Sequence, residues 1–512
     1  MDLTQLVKNV ASNYGRMVVA ILSTLFLTPF LLHKLGTEAY GLWGVSQAIG
    51  GYFSLMDLGI TSAAVRYVAH YRALKDWENL NKVVGSSFLS YSYMALACLV
   101  LGVILAAFSP ALFSKSSLHL QLQYLIIAVA AVGSIGFLTV MPLQCVIAAQ
   151  RQDLLNNWML LFQIVSTIAT VICVNMGHGV LALASIQLAN TVLNGVFGYI
   201  LMGKLLPEVR LFPCWDKVQG RLILSFASWA FLITVAVRLI NFSDTLVVGS
   251  FISVGAVASY VVILKVIELM RSLVGTGVSI MGTFVSEQAA LGRLEPLRSM
   301  WVYGSKWALA ITLPMGVACL FISHELISSW VGPGYGEAEV ALRWLAGCAV
   351  CDLTQSAAYQ VLMNSGRHKP LAISMSIEGI ANLILSIVLA QKIGLVGVAV
   401  GTFIPCMIRS VVFYPLYMRR ITGLGLSTYV REAIYPALLT AAPSSALIIT
   451  YKLAGWHSGR ISLLLLILAC ALILLVSLGL FGLSAEERSR LPQWLKGSPF
   501  YARWRLKGSS II

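Results

Sequence analysis

"MVVAILSTLFLTPFLL", Met17–Leu32, decides the class of this chain. The run is longer than the roughly 7–15-residue core of a secretory signal peptide, and no small-residue cleavage site follows it. A hydrocarbon core about 30 Å thick asks for about 20 apolar residues of helix. With its flanks, this stretch supplies a first membrane crossing.

The rest of the chain follows suit. Of 512 residues, 58% are hydrophobic and 11% charged, with a mean hydropathy of +0.85, whereas soluble globular chains carry about 25% charge. The sequence predicts an all-α polytopic membrane protein with little length left for soluble domains. Apolar blocks with short polar or Gly/Pro punctuation give about 14 transmembrane helices, near residues 13–34, 40–63, 84–108, 120–148, 154–176, 179–202, 222–252, 257–284, 306–330, 340–363, 371–392, 394–418, 433–453 and 461–483.

A net charge of +15 suggests nucleic acid in a soluble protein, but in a membrane its placement gives orientation instead. With the N-terminus inside, about 24 of the 35 Lys/Arg fall on the inner side. Among them are Arg66, Arg72, Lys75, Lys82, Lys204, Arg210, Lys217, Arg221 and the basic tail. Only Lys34, Lys115, Lys392, Lys452 and Arg460 fall outside. Both termini are therefore expected in the cytoplasm, and no nucleic-acid partner is expected.

The chain also resembles itself. "LGTEAYGLW" (Leu35–Trp43) pairs with "VGAVASYVV" (Val254–Val262), and "NMGHGVLALA" (Asn175–Ala184) with "KIGLVGVAVG" (Lys392–Gly401). Both displacements are about 217–220 residues in the same order, the mark of two parallel halves. The expected organisation is a six-helix lobe over 1–218, a second over 219–420, two further helices over 421–483 and a basic cytoplasmic tail over 484–512. The tail's "WLKGSPFYARWRLKG", Trp494–Gly508, interleaves aromatic and basic residues and suits either an anionic leaflet or plain solvent.

Charges inside the apolar spans carry the functional signal, since each costs about 2.5–3.5 kcal/mol at mid-bilayer. Arg16, Arg238, Lys265, Arg271 and Arg409 are the candidate cations for an anionic substrate group, because guanidinium offers phosphate a planar fork. Arg343 also falls within a span, and both it and Arg16 lie near span ends, where they can snorkel to the interface. Lys265, Glu268 and Arg271 recur every third residue along one side of a helix, and the preceding helix repeats the spacing with Arg238, Asn241 and Asp244. A self-neutralising lock between helices is the competing reading of such a stripe. Asp57, Asp244, Glu268, Asp352 and Glu378 are candidates for coupling to a proton or sodium ion. Asp57, in "MDLGI", equally suits the cap of a broken helix.

Covalent chemistry finds no support. The 9 cysteines mostly lie in apolar runs, and "CAVC", Cys348–Cys351, has no second pair or histidine cluster beside it. There is no P-loop, no Asp-x-Asp and no nucleophile–base spacing, so neither a cofactor nor a metal is expected and the chain is not read as an enzyme.

"LLHKLGTEAYGLWGVSQAIGGYFSLMDLGITSAAVRYVA", Leu31–Ala69, resembles the polysaccharide-flippase branch of the multidrug, oligosaccharidyl-lipid and polysaccharide exporter superfamily. The resemblance rests on Leu35-Gly36, Glu38, Tyr40-Gly41, Leu42-Trp43, Asp57-Leu58-Gly59 and Arg66-Tyr67, and later on Glu378, Asn382 and Gly394-x-x-Gly397 in Asn364–Thr402. It implies MATE-like lobes around a central cavity, alternating access, and translocation of an isoprenoid-diphosphate-linked saccharide, such as an O-antigen unit for lipopolysaccharide, across a bacterial inner membrane. Partners implied are the anionic lipid-linked saccharide, membrane lipid and glycan-assembly proteins. Cavity arginines would take the diphosphate, and Arg16 matches such a first-helix position loosely. The rivals are a multidrug antiporter of the same fold, which favours carboxylates over this set of cations, and a membrane glycosyltransferase or polymerase. The longest outer loop offers the latter only Glu325 and the Glu337/Glu339 pair.

Overall fold

The computed structural model describes residues 3–114, 118–220, 228–279, 285, 288, 289, 291, 293–455 and 459–482. The expected basic tail 484–512, together with Lys115 and Arg221 of the charge count, lies outside them. Apart from connections such as residues 206–216 the described residues are helical, with no strand among them. Among the described residues ten helices are long and apolar enough to cross a membrane, so the chain is a multi-pass membrane protein.

In chain order the helices are α1 (Leu3–Phe53), α2 (Ile60–Leu74), α3 (Trp77–Leu112), α4 (His119–Ala148), α5 (Gln152–Asn175), α6 (Leu181–Leu205), α7 (Ser228–Val247), α8 (Val254–Ser279), α9 (Leu294–Phe321), α10 (Ser323–Val331), α11 (Gly336–Thr354), α12 (Ser356–Asn364), α13 (His368–Met407), α14 (Tyr414–Thr422), α15 (Tyr435–Leu453) and α16 (Gly459–Ser477). A short turn of helix, Leu426–Tyr429, precedes α15. Within an apolar medium the backbone must satisfy its own hydrogen bonds, which selects helix over every open alternative.

Two of these helices double back. At about 1.5 Å per residue, the 51 residues of α1 and the 40 of α13 far exceed one crossing. Gly36 breaks α1 at φ 79°, which brings Tyr40 beside Thr28 across the break. In α13 the reversal falls at Ile393–Gly394, with Gly394 at φ 60°. The two arms of α13 run antiparallel in close contact: a Cβ on Gly397 would collide with the carbonyl oxygen of Leu389, and one on Gly401 would lie 2.6 Å from the amide nitrogen of Ser386. Only glycine permits that approach.

All four glycine links noted in the sequence sit at helix junctions. Gly36 and Gly394 mark the reversals, Gly177 and Gly179 adopt φ 85° and 63° between α5 and α6, and extended Ser253 leads into α8.

The chain separates into two compact units. The first comprises residues 1–269, 330–341 and 368–405, and the second 270–329, 342–367 and 406–512. In the first, α4 packs against α3 and α6, and α1 against α5 and α7. The second arm of α1 lies close against α8: Gly41 lies where a Cβ would meet the Val254 carbonyl oxygen, and Gly44 faces Val257 and Val261. In the second unit, α9 packs against α15 and α12. Its centre is the buried Trp301, stacked on Tyr429 at 4.2 Å and donating to Gln355, whose amide in turn donates to the Tyr429 hydroxyl. Ile322, Ile448, Tyr451, Leu463 and Leu466 form a further apolar cluster that ties α15 and α16 to the end of α9.

Candidate functional site

The densest polar constellation of the first unit is built on Asp244, near the end of α7. Its carboxylate is 4% exposed. Tyr260 of α8 donates to Oδ2 at 2.8 Å and Thr402 of α13 donates to the same oxygen at 2.6 Å. Ser386, on the other arm of α13, donates to Oδ1 at 3.1 Å. No cation pairs with it among the described residues, so neutral hydroxyls alone hold a buried carboxylate.

Those hydroxyls are oversubscribed. Ser386 Oγ also lies 2.8 Å from Asn382 Oδ1 and 3.3 Å from the Val398 carbonyl oxygen, and Thr402 Oγ1 lies 3.4 and 3.1 Å from the same two acceptors. Each hydroxyl has a single hydrogen to give. The Asn382 amide nitrogen, a donor with two hydrogens, is buried beside them without a partner. Beside it Tyr52, Ser243, Ser250, Phe251, Leu383 and Ile387 help to line a cavity of about 300 Å³.

Arg238 lies six residues earlier on α7, about 120° around the axis from Asp244. Its guanidinium sits over the Phe242 ring, 5.4 Å from the centroid, and its Nε is buried without a hydrogen-bond partner. The Phe242 ring in turn rests on Gly51 and near Tyr52 of α1. No carboxylate pairs with Arg238 among the described residues. One helix thus presents an unmatched cation to one side and an unmatched acid to another.

The remaining candidates are placed differently. Lys265 and Glu268 form an ion pair at 2.9 Å, with Glu268 exposed. Arg271, one turn on, is exposed. Arg16 is exposed and donates to Asn13 at 3.4 Å. Glu378 is buried on the first arm of α13, next to Gly379, which packs on α7 at Leu239. In the second unit Arg409 is buried, bonded to Asp352 at 2.6 Å and to the Tyr414 hydroxyl at 2.7 Å. Arg343 donates to Ser323 at 3.0 Å.

Asp57 ends a 3-10 turn and caps α2. It accepts from the Thr61 amide at 3.2 Å and hydroxyl at 2.6 Å, and from the buried Tyr91 at 3.3 Å. Leu58 and Gly59 take left-handed backbone between the two helices.

Sequence reasoning singled out Asp244 and Asn382 but not Tyr260, Ser386 or Thr402. Hydroxyls are frequent in membrane helices and carry no cost that would draw attention. The available signal was helical spacing: Asn382 to Ser386 and Val398 to Thr402 are both one turn apart. Lys306, buried in the second unit against Tyr303 and Trp307, was also missed as an intramembrane cation.

The family model for polysaccharide biosynthesis proteins matches residues 6–280. The chain belongs to that family. Two relatives span most of it. The uncharacterized membrane protein EpsK of Bacillus subtilis is 23% identical over 471 residues, covering 88% of this chain and 91% of its own length. The probable flippase AglR of Haloferax volcanii is 21% identical over 417 residues, covering 80% and 83%. Among solved structures, the lipid II flippase MurJ in an inward closed conformation superposes with a TM-score of 0.67 at 17% identity, over 93% of this chain and 98% of that one. An inward-facing multidrug resistance MATE family transporter superposes at 0.61 and 15% identity, over 80% and 98%. These likenesses establish a MurJ- and MATE-like fold for this member of the polysaccharide biosynthesis protein family.

Proposed function

We propose that the chain is a flippase that carries an isoprenoid-diphosphate-linked oligosaccharide from the cytoplasmic to the outer leaflet of a bacterial inner membrane by alternating access. The observation that carries this reading is Arg238: a guanidinium in an apolar helix, stacked on Phe242, with a buried Nε that nothing satisfies. Such a group asks for an anion, and a diphosphate supplies acceptors in the planar spacing that guanidinium fits. Membership of the polysaccharide biosynthesis family, the flippase name of one relative and the fold shared with a lipid II flippase support the same substrate class.

In this reading both termini lie in the cytoplasm, two six-helix lobes over 1–218 and 219–420 rock about the repeat, and residues 421–483 add two helices. Counting both arms of α1 and of α13 supports about 14 crossings. Asp244 is the coupling group, taking a proton or a sodium ion within its cage of oxygens. Arg16, Lys265 and Arg271 are accessory cations, while Asp352 already engages Arg409. Glycan-assembly proteins of the same membrane are the expected partners, with an O-antigen-type glycan the first to try.

The test is translocation of a fluorescent polyprenyl-diphosphate oligosaccharide in proteoliposomes under imposed pH or sodium gradients. Transport that falls in Arg238→Ala and loses its gradient dependence in Asp244→Asn supports the reading. A folded, inert wild type that instead moves a cationic dye would place the chain with the drug exporters.

A further inference from the structure

Between Leu154 and Gly203 there is no aspartate, glutamate, lysine or arginine. Yet α5 and α6 carry amides at Asn156, Gln163, Gln187, Asn190 and Asn194 in a medium that penalises polar groups. Some are self-satisfied. Gln47, on the second arm of α1, and Gln187 exchange both of their amide hydrogen bonds, at 3.0 and 3.4 Å. Asn194 donates to the carbonyl and side-chain oxygens of Asn190 at 2.9 and 2.8 Å.

Two atoms of this wall are left over. The Asn194 Oδ1 is a buried acceptor without a donor, and the Trp158 Nε1 is a buried donor without an acceptor. The Trp158 ring stacks on Phe197 at 3.8 Å with planes 5° apart, and Phe197 lies one helical turn beyond Asn194. An orphan acceptor, an orphan donor and an aromatic face therefore occupy neighbouring positions of α5 and α6.

Amides that merely hold helices together end up paired, as Gln47 and Gln187 are. Leaving a donor and an acceptor buried and unmet is costly, and it needs a reason. A hydroxyl answers both at once, because it accepts from Trp158 and donates to Asn194. A pyranose ring adds a C–H face of the size and shape that an indole or phenyl ring stacks upon. Neither helix carries a charge between Leu154 and Gly203 to favour an ionic ligand.

We infer that the α5–α6 wall of the first unit is a subsite for neutral sugar, with Trp158, Asn190 and Asn194 as its contacts. The inference rests on the proposed lipid-linked saccharide and divides the labour of holding it: Arg238 takes the diphosphate, and this wall takes the glycan. Entry swings the Trp158 ring off Phe197 and puts a sugar face in its place.

The test measures binding to the full chain in lipid nanodiscs with two probes, a polyprenyl diphosphate and the same lipid bearing a neutral pyranose disaccharide. Wild type is expected to hold the glycosylated lipid more tightly, and Asn194→Leu and Trp158→Phe each to lose about fivefold on that probe, the loss of one neutral hydrogen bond. Neither variant should change affinity for the bare lipid. Trp158→Phe keeps a stacked ring, and melting curves of both variants guard against misfolding. If wild type holds both probes equally, or if the variants lose equally on both or on neither, the subsite is overturned while the diphosphate reading stands. If wild type holds neither lipid, the flippase reading falls and takes the subsite with it. Arg238→Ala, weakened on both probes alike, separates the two.

Discussion

Thr402 Oγ1 lies 2.6 Å from Asp244 Oδ2 although 158 residues separate them, and the helix carrying Thr402 is the returning arm of a hairpin whose outgoing arm supplies Ser386. The buried acid is thus gripped from both sides of one reversal.

Asp244→Asn removes the charge and keeps the shape. Gradient-driven flipping is expected to fall at least about tenfold, equivalent to a barrier raised by about 1.4 kcal/mol, while the protein still folds. Thermal melting with and without sodium identifies the ion: a ligand at 100 times its Kd stabilises by about 2.7 kcal/mol, so a sodium site raises wild-type melting and leaves Asp244→Asn unmoved. A proton site shows no such sodium effect in either.

Arg238→Ala is expected to weaken binding of a polyprenyl diphosphate by about 1.5–3 kcal/mol, the range for a hydrogen bond to a charged group. Arg238→Lys should recover only part of it, because ammonium keeps the charge but lacks the fork. Equilibrium binding to nanodiscs reads both, and full recovery in the lysine variant would reduce Arg238 to a bare charge.

Arg409 and Asp352 form a pair in which the arginine is 7% exposed. Removing either partner alone is expected to destabilise the fold by about 3–5 kcal/mol, since the other charge is stranded. The double variant Arg409→Met/Asp352→Leu should be much nearer to wild type. Denaturation of all four forms gives the coupling energy directly.

Asp76 caps α3, accepting from the Asn79 amide at 3.1 Å and its side chain at 2.7 Å. Those bonds hold its carboxyl below the usual 3.8, the side chain of Asn79 contributing most. A lowered carboxylate contributes stability above the unfolded value and loses it as pH falls through the folded one. Asp76→Ala is therefore expected to melt below wild type at neutral pH, with the gap closing in acid.

Gly41 is expected to tolerate nothing larger. A Cβ there would collide with the Val254 carbonyl oxygen, which is backbone and cannot step aside. Gly41→Ala should cost about 3 kcal/mol, the upper part of the range for overpacking, read as lower yield and melting temperature.

How much of this was legible follows from what each residue costs. Apolar length announced the helices, and glycine announced the reversals at Gly36 and Gly394, because only glycine takes those angles cheaply. Spacing foretold the Lys265–Glu268 contact, which is local. The Arg409–Asp352 pair spans 57 residues, and the hydroxyls on Asp244 come from two other helices. No periodicity within a single helix encodes such meetings. The orphan atoms of Trp158 and Asn194 were invisible for a related reason: a missing partner is a property of the packed surroundings, whereas the residues themselves look ordinary.

The hairpin of α13 has one last consequence. Asn382 and Ser386 precede the reversal at Gly394, Val398 and Thr402 follow it, and Asp244 bonds to a hydroxyl from each arm. The carboxylate is a rivet through a folded strap. Any substitution that removes the carboxylate takes a hydrogen bond from each arm at once.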